Sequence, residues 1–256
     1  MRDTILFGDC RETLKEFDEK ARMCVTSPPY YGLRNYGDEE YQIGLEQTPE
    51  DYIEQLVNVF KEVKNVLTDD GTCWVNVGDS YYNYRPGRGQ GLVKQTVSNN
   101  KQDLPDVCPR RGNRLEGLKE KDLIGIPWMF AFAMRADGWY LRQDIIWNKP
   151  NPMPESVRDR CTKAHEYIFL FSKNQNYYFD VDAIKEPTRR KRSVWNIQKK
   201  PYKGAHFAVY PPDLIEPCIK AGSEEGDIVL DPFMGSGTTA MVAKSLGRDY
   251  NGCELH

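Results

Sequence analysis

The chain has 256 residues, 39% hydrophobic and 29% charged, with a formal net charge of −3, which fits one large domain or two small ones around a real core. Its seven cysteines, Cys10, Cys24, Cys73, Cys108, Cys161, Cys218 and Cys253, are odd in number and include no C-x-x-C pair, which argues against a disulfide framework and a zinc site. No run approaches the roughly 18 apolar residues of a membrane span, and the first residues, MRDTILFGDCRETL, lack the apolar stretch of a signal peptide, so the expected setting is the reducing cytoplasm.

In chain order, residues 4–7 predict a short buried strand that ends at Gly8-Asp9, and Leu14 and Phe17 predict a helix after it. Residues 22–26 read as a second strand, stopped by Ser27-Pro28-Pro29. From 49 to 67, apolar residues at Tyr52, Ile53, Leu56, Val59, Phe60, Val63 and Leu67 follow the 3.6-residue period of an amphipathic helix, and Pro49 suits its first turn. A strand at 73–77 follows the Asp70-Gly71 turn. Residues 81–121 then break the rhythm: rich in Gly, Arg, Asn and Gln, they form a polar insert too long for an ordinary connection. A helix at 122–136 and strands at 139–147 and 166–171 come next. A helix at 212–221, a strand at 228–230, a helix at 238–246 and a strand at 250–254 close the chain. Strands alternating with helices predict an α/β fold with a mostly parallel, doubly wound sheet.

The net charge hides a distribution. Between residues 184 and 203, Lys185, Arg189, Arg190, Lys191, Arg192, Lys199, Lys200 and Lys203 stand against Glu186 alone, a net +7. Arg110, Arg111 and Arg114 form a second basic cluster within the polar insert. Basic patches on an acidic body suit a face that meets phosphates, although a charge run also fits ordinary solvated surface.

Two strings carry the chemistry. Asp231-Pro232-Phe233-Met234-Gly235-Ser236-Gly237-Thr238-Thr239 follows an apolar strand and opens a helix. In a doubly wound sheet, ligands sit at the carboxyl ends of the strands. Gly235 and Gly237 allow close approach of the backbone, and a helix N-terminus offers N–H donors to a carboxylate. Glu254, about 20 residues on, ends the next strand, where an acidic side chain can accept from ribose hydroxyls; the third glycine of the dinucleotide fingerprint is absent. A ligand with a ribose and an amino-acid carboxylate fits this set better than one with a pyrophosphate.

The second string is Thr26-Ser27-Pro28-Pro29-Tyr30, also after a strand. The exocyclic nitrogen of cytosine or adenine is a poor nucleophile because its lone pair is delocalised into the ring. Acceptors on both of its N–H bonds localise that pair. Ser27 Oγ and the Pro28 carbonyl can be those acceptors, Pro29 stiffens the loop, and Tyr30 offers a flat face to a base taken out of its stack. The rival chemistry, attack on the ring by a cysteine after a proline, has a candidate in Pro217-Cys218, but that pair lies in a helix-like stretch and reads as core.

Together the two strings resemble the amino-methylating DNA methyltransferases, which make N4-methylcytosine and N6-methyladenine; residues 158–173, RDRCTKAHEYIFLFSK, also match blocks seen in that family. The transfer loop precedes the cofactor loop, which is similar to the family's beta arrangement. The resemblance covers nearly the whole chain. It implies the S-adenosylmethionine-dependent methyltransferase fold, circularly permuted, as a single domain over 1–256, in which strands near 4 and 254 are neighbours. It implies S-adenosylmethionine as cofactor, held by Asp231, Phe233, Gly235, Ser236, Gly237, Thr238 and Glu254, with Asp9 near the adenine and His206 before the helix at the methionine end. It implies transfer by Ser27, Pro28, Pro29 and Tyr30 without a metal. The expected partner is double-stranded DNA, contacted by the 81–121 insert through Arg110, Arg111 and Arg114 and by a recognition segment at 184–205 through Arg189, Arg190, Lys191, Arg192, Lys199 and Lys200. Serine before Pro-Pro-Tyr resembles the N4-cytosine members more than the N6-adenine ones; N6-adenine transfer is the alternative, and a DNA-binding protein on an inactive fold a third reading. A cognate restriction endonuclease and the oligomeric state stay open.

Overall fold

A computed structural model of the protein describes residues 1–32, 42–82, 115–199 and 210–255. The elements, in order, are β1 (Thr4–Phe7), α1 (Cys10–Thr13) with a 3-10 turn at Leu14–Glu16, β2 (Ala21–Thr26), α2 (Pro49–Val66), β3 (Leu67–Val77), α3 (Ile126–Ala136), β4 (Tyr140–Asn148), β5 (His165–Ser172), β6 (Val194–Asn196), α4 (Pro212–Gly222), β7 (Ile228–Asp231), α5 (Thr238–Ser245) and β8 (Asp249–Glu254).

The eight strands form one sheet in the order β1-β8-β7-β2-β3-β5-β4-β6. β5 is antiparallel to both its neighbours, while every other pairing is parallel. Seven strands therefore end on one edge of the sheet and β5 begins there. The expected mostly parallel α/β sheet is borne out, and β1 and β8 are neighbours, Phe7 opposite Glu254.

Alternation along the strands splits the core in two. Cys73, Val75 and Val77 of β3, with Phe169 and Phe171 of β5, pack under α2 and α3. Trp74 and the intervening Ile168 and Leu170 pack under α4 and α5. Both faces are covered, which is why the central strands read as nearly unbroken apolar runs. Cys218 is part of the second core.

Three predicted elements are corrected. The strand at 4–7 is not buried: it lies at the end of the described sheet, with β8 on one side and no other described strand beside it, and Phe7 is 67% exposed. The helix expected around Leu14 and Phe17 is one α turn and one 3-10 turn, stopping short of Phe17, whose backbone is extended. The helix expected from 122 starts at Ile126, because Gly125 takes a left-handed conformation (φ +88°) and Pro127 stands in the first turn. The 81–121 insert is anchored at both ends: Tyr82 N–H donates to the Asp122 carbonyl at 2.8 Å, Lys121 N–H returns to Tyr82 at 2.9 Å, and Tyr82 and Leu115 are buried in the core. Arg110, Arg111 and Arg114 lie outside the described residues. The basic segment holds a strand that its charge concealed: β6 pairs with β4 and buries Trp195.

Candidate functional site at the carboxyl edge

The loops after β1, β8, β7, β2 and β3 open on one edge, where a parallel sheet places ligands. Hydrogen bonds between neighbouring strand ends hold them in register. Thr26 Oγ1, ending β2, donates to Asp231 Oδ1, ending β7, at 2.6 Å. Gly8 N–H after β1 donates to the Glu254 carbonyl at 2.9 Å, and Met234 N–H in the loop after β7 donates to the Cys253 carbonyl at 2.9 Å.

Asp231 is buried, and its carboxylate faces inward. Besides Thr26 it accepts from Phe233 N–H and from the hydroxyls of Tyr210 and Thr239. Burial pushes its pKa up and these donors work against that, leaving it above the ordinary carboxylate value. Its carboxylate is fully engaged in folding the loop after β7, since an unpaired buried carboxylate would be too costly to keep charged.

That loop turns through Gly235 and Gly237, both at positive φ (+54° and +79°), and α5 starts on Gly237. Among the described residues, and apart from its chain neighbours, no atom lies within 4 Å of where a Cβ on Gly237 would stand. Phe233 packs half-buried on the core, Ser236 Oγ lies 3.3 Å from Thr238 Oγ1, and Thr238 is buried. Glu254 uses Oε2 to accept from Gly235 N–H, which joins the end of β8 to the turn. Asp9 is also at this edge. Its carboxylate starts α1, accepting from Arg11 N–H at 2.9 Å, and pairs with the Arg11 guanidinium at 2.7 Å. Burial pushes the Asp9 carboxyl up, and the Arg11 bonds and charge outweigh it, so the group sits below its usual range.

The loop after β2 is held from three sides. Tyr52 Oη of α2 donates to the Pro29 carbonyl at 2.7 Å, while the Pro28 carbonyl accepts from none of the described residues. Tyr30 lies against Gly78 so closely that a Cβ there would stand 2.6 Å from Cε2 of the ring. Tyr30 Oη donates to Glu166 Oε2 at 2.8 Å and lies 3.2 Å from Asn76 Oδ1. Ser27 Oγ donates to Asn76 Oδ1 at 3.5 Å. Glu166 also takes the ammonium of Lys149 on Oε1. Burial pushes the Glu166 carboxyl up, and Lys149 and Tyr30 more than offset it, so it stays ionised below its usual range. Burial pushes the Lys149 ammonium down against the pull of Glu166. Tyr30 is raised by burial and by the adjoining Glu166 charge.

Asn76, Gly78, Lys149 and Glu166 were not among the residues expected from sequence. Their signal was a polar residue at the edge end of an apolar strand, which becomes informative only once the direction of β5 is known.

Among the basic residues, Arg190, Arg192 and Lys199 are exposed, Arg189 is exposed and paired with Glu186, and Lys191 stands 4.9 Å from the Trp195 ring centroid. They flank β6, at the opposite end of the sheet from β1. His206 and Lys200 lie outside the described residues. Among the described residues no His, Cys, Asp and Glu side chains gather as a metal site, and no helix is long and apolar enough to cross a membrane.

A family model described as DNA methylase matches residues 21–256. The chain is 49% identical to the Type II methyltransferase M.XycI of Xanthomonas campestris pv. cyanopsidis, over 100% of this chain and 85% of that protein. It is 50% identical to the Type II methyltransferase M.SmaI of Serratia marcescens, over 98% of this chain and 86% of that one. Among solved structures, the PvuII DNA methyltransferase, described as cytosine-N4-specific, superposes with a TM-score of 0.72 at 21% identity, covering 100% of this chain and 83% of its own. The M1.HpyAVI–SAM complex does so with a TM-score of 0.62 at 20% identity, covering 99% and 94%.

Proposed function

The chain belongs to the DNA methylase family, and on that premise we propose that it transfers a methyl group from S-adenosylmethionine to the exocyclic amine of a base in double-stranded DNA, N4 of cytosine ahead of N6 of adenine. The observation that carries this reading is the Thr26–Asp231 bond, which fixes the Ser27–Tyr30 loop beside the Gly235–Gly237 turn. A donor on one loop and an acceptor base on the other then need no further search for alignment.

The residues at the edge fit the cofactor. The glycine turn and the first turn of α5 present backbone N–H groups to a carboxylate. Glu254 keeps Oε1 for ribose hydroxyls while Oε2 holds Gly235 N–H. The neighbouring Asp9 serves the adenine end. Bound S-adenosylmethionine supplies an already activated methyl on its sulfonium, so no metal is required.

The protein's own work is on the base. Ser27 Oγ, whose proton points to Asn76, presents lone pairs to one amine N–H, and the Pro28 carbonyl takes the other. The amine lone pair then localises on nitrogen and faces the donor, an interaction that strengthens as the transition state forms. The preference for cytosine draws on Ser27 before Pro-Pro-Tyr and on the cytosine specificity of the PvuII neighbour. As Type II relatives belong to restriction-modification systems, a cognate endonuclease that cuts the same sequence completes this reading.

The test is to express the protein in a host free of amine-methylated DNA, digest the genomic DNA to nucleosides and analyse them by mass spectrometry. N4-methyldeoxycytidine is the expected product. N6-methyldeoxyadenosine would move the assignment to adenine, and neither product, with DNA binding intact, would leave only an inactive binding protein.

A further inference from the structure

Lys149 and Glu166 form a buried ion pair to which the methyl-transfer reading gives no task. Lys149 is 7% exposed and its ammonium stands 4.2 Å from the Trp147 ring centroid. A buried pair of this kind is poor evidence of stabilisation, because desolvating two charges offsets most of their attraction. What the pair touches is more telling. Oε2 of Glu166 accepts from Tyr30 Oη at 2.8 Å and from Asn76 Nδ2 at 3.3 Å, and Asn76 Nδ2 donates as well to the Tyr167 carbonyl at 3.0 Å.

These contacts decide two proton positions. Turning the Asn76 amide over would set its oxygen against a carboxylate and a carbonyl, so Nδ2 faces Glu166 and Oδ1 faces the transfer loop. Tyr30 has one hydroxyl proton, and the charged acceptor at 2.8 Å takes it ahead of Asn76 Oδ1 at 3.2 Å. Asn76 Oδ1 is left for the Ser27 proton.

Resting on the methyl-transfer reading, we propose that Lys149 and Glu166 are positioning residues for the transfer loop: the ionised Glu166 anchors the Tyr30 phenol and, through Asn76, turns the Ser27 hydroxyl so that it donates inward and accepts from the substrate amine. Among the described residues, neither makes a hydrogen bond or ion pair with those expected to hold the cofactor. Their loss therefore acts on transfer and not on cofactor affinity.

The test compares Glu166→Gln, the double variant Lys149→Met/Glu166→Gln, and a cycle of Ser27→Ala and Asn76→Ala, on DNA carrying the target site in unmethylated form. Single-turnover transfer, calorimetric binding of S-adenosylmethionine and thermal melting are read for each. Glu166→Gln should slow transfer by about 10- to 100-fold, the scale of one polar stabiliser or less, with cofactor affinity within about twofold of the parent. The double variant, which leaves no unpaired buried charge, should regain melting temperature and remain slow. A merely structural pair would instead recover rate with stability, and that outcome overturns the inference. Asn76→Ala should cost little once Ser27 is already alanine, since the two act in series; fully independent effects overturn the Asn76 link. An inactive parent overturns the functional reading and this inference together. An active parent whose Glu166→Gln variant keeps its rate overturns this inference alone.

Discussion

Ser27 and Cys218 stand for the two ways a base can be methylated. Cys218 is wholly buried in α4, its thiol directed at the Leu214 carbonyl, and burial pushes its pKa up; a thiolate nucleophile is not available there. Single-turnover assays should find Cys218→Ser close to the parent and Ser27→Ala slowed by about 10- to 1000-fold, the range for losing one preorganised polar group. A fully active Ser27→Ala, or a folded but dead Cys218→Ser, would overturn the amine mechanism. Ser27 could be singled out in the sequence because Pro28 and Tyr30, with which the proposed chemistry groups it, are its chain neighbours. Glu166 and Lys149 could not, because they meet Tyr30 only through the sheet order β2-β3-β5-β4, and Glu166 is separated from Tyr30 by 136 residues. The inward turn of the Asp231 carboxylate was not legible either: a carboxylate in a glycine-rich loop looks the same in sequence whether it faces ligand or core.

At the scale of elements, α3 shows how an edge loop is fixed from outside the motifs. Asp79, after β3, accepts from Gly125 N–H at 3.0 Å and Ile126 N–H at 3.1 Å, and from Ser80 N–H at 2.8 Å. It thus supplies the cap that the helix's own Gly125 cannot. Asp79→Ala should lower stability by about 0.5–2 kcal/mol in urea titration; an unchanged midpoint would show that water replaces it. The amphipathic α2 was read correctly from its period, and α4, α5 and the central strands within a residue or two, except β3, which starts at Leu67 and runs through the turn expected at Asp70-Gly71. β6 was missed because four consecutive basic residues precede a strand only three residues long, so composition overrode the Val194-Trp195 signal. β1 was misjudged because four apolar-rich residues look alike at the centre and at the end of a sheet.

For the whole molecule, charge is the property that composition misrepresents. A net −3 chain keeps exposed Arg189, Arg190, Arg192 and Lys199 around β6, beyond β4 on the side of the Lys149–Glu166 pair. If this end of the sheet holds DNA phosphates, log affinity should fall against log salt by roughly 0.9 per phosphate neutralised. Replacing Arg189, Arg190 and Arg192 together with glutamine should flatten that slope in fluorescence anisotropy titrations, whereas an unchanged slope would make the run ordinary solvated surface. The opposite end of the sheet carries a consequence of another kind. β1 has β8 as its sole neighbour in the described sheet, so of the described strands the one translated first must wait for the one translated last. Contacts so distant along the chain form slowly, and during synthesis the N-terminal portion orders first. The transfer loop after β2 therefore leaves the ribosome before β7 does, and until β7 follows, β2 lacks that neighbour and Thr26 lacks Asp231. A nascent chain stalled before β7 carries every residue of the Ser27–Tyr30 loop and none of the bonds that join it to the glycine turn.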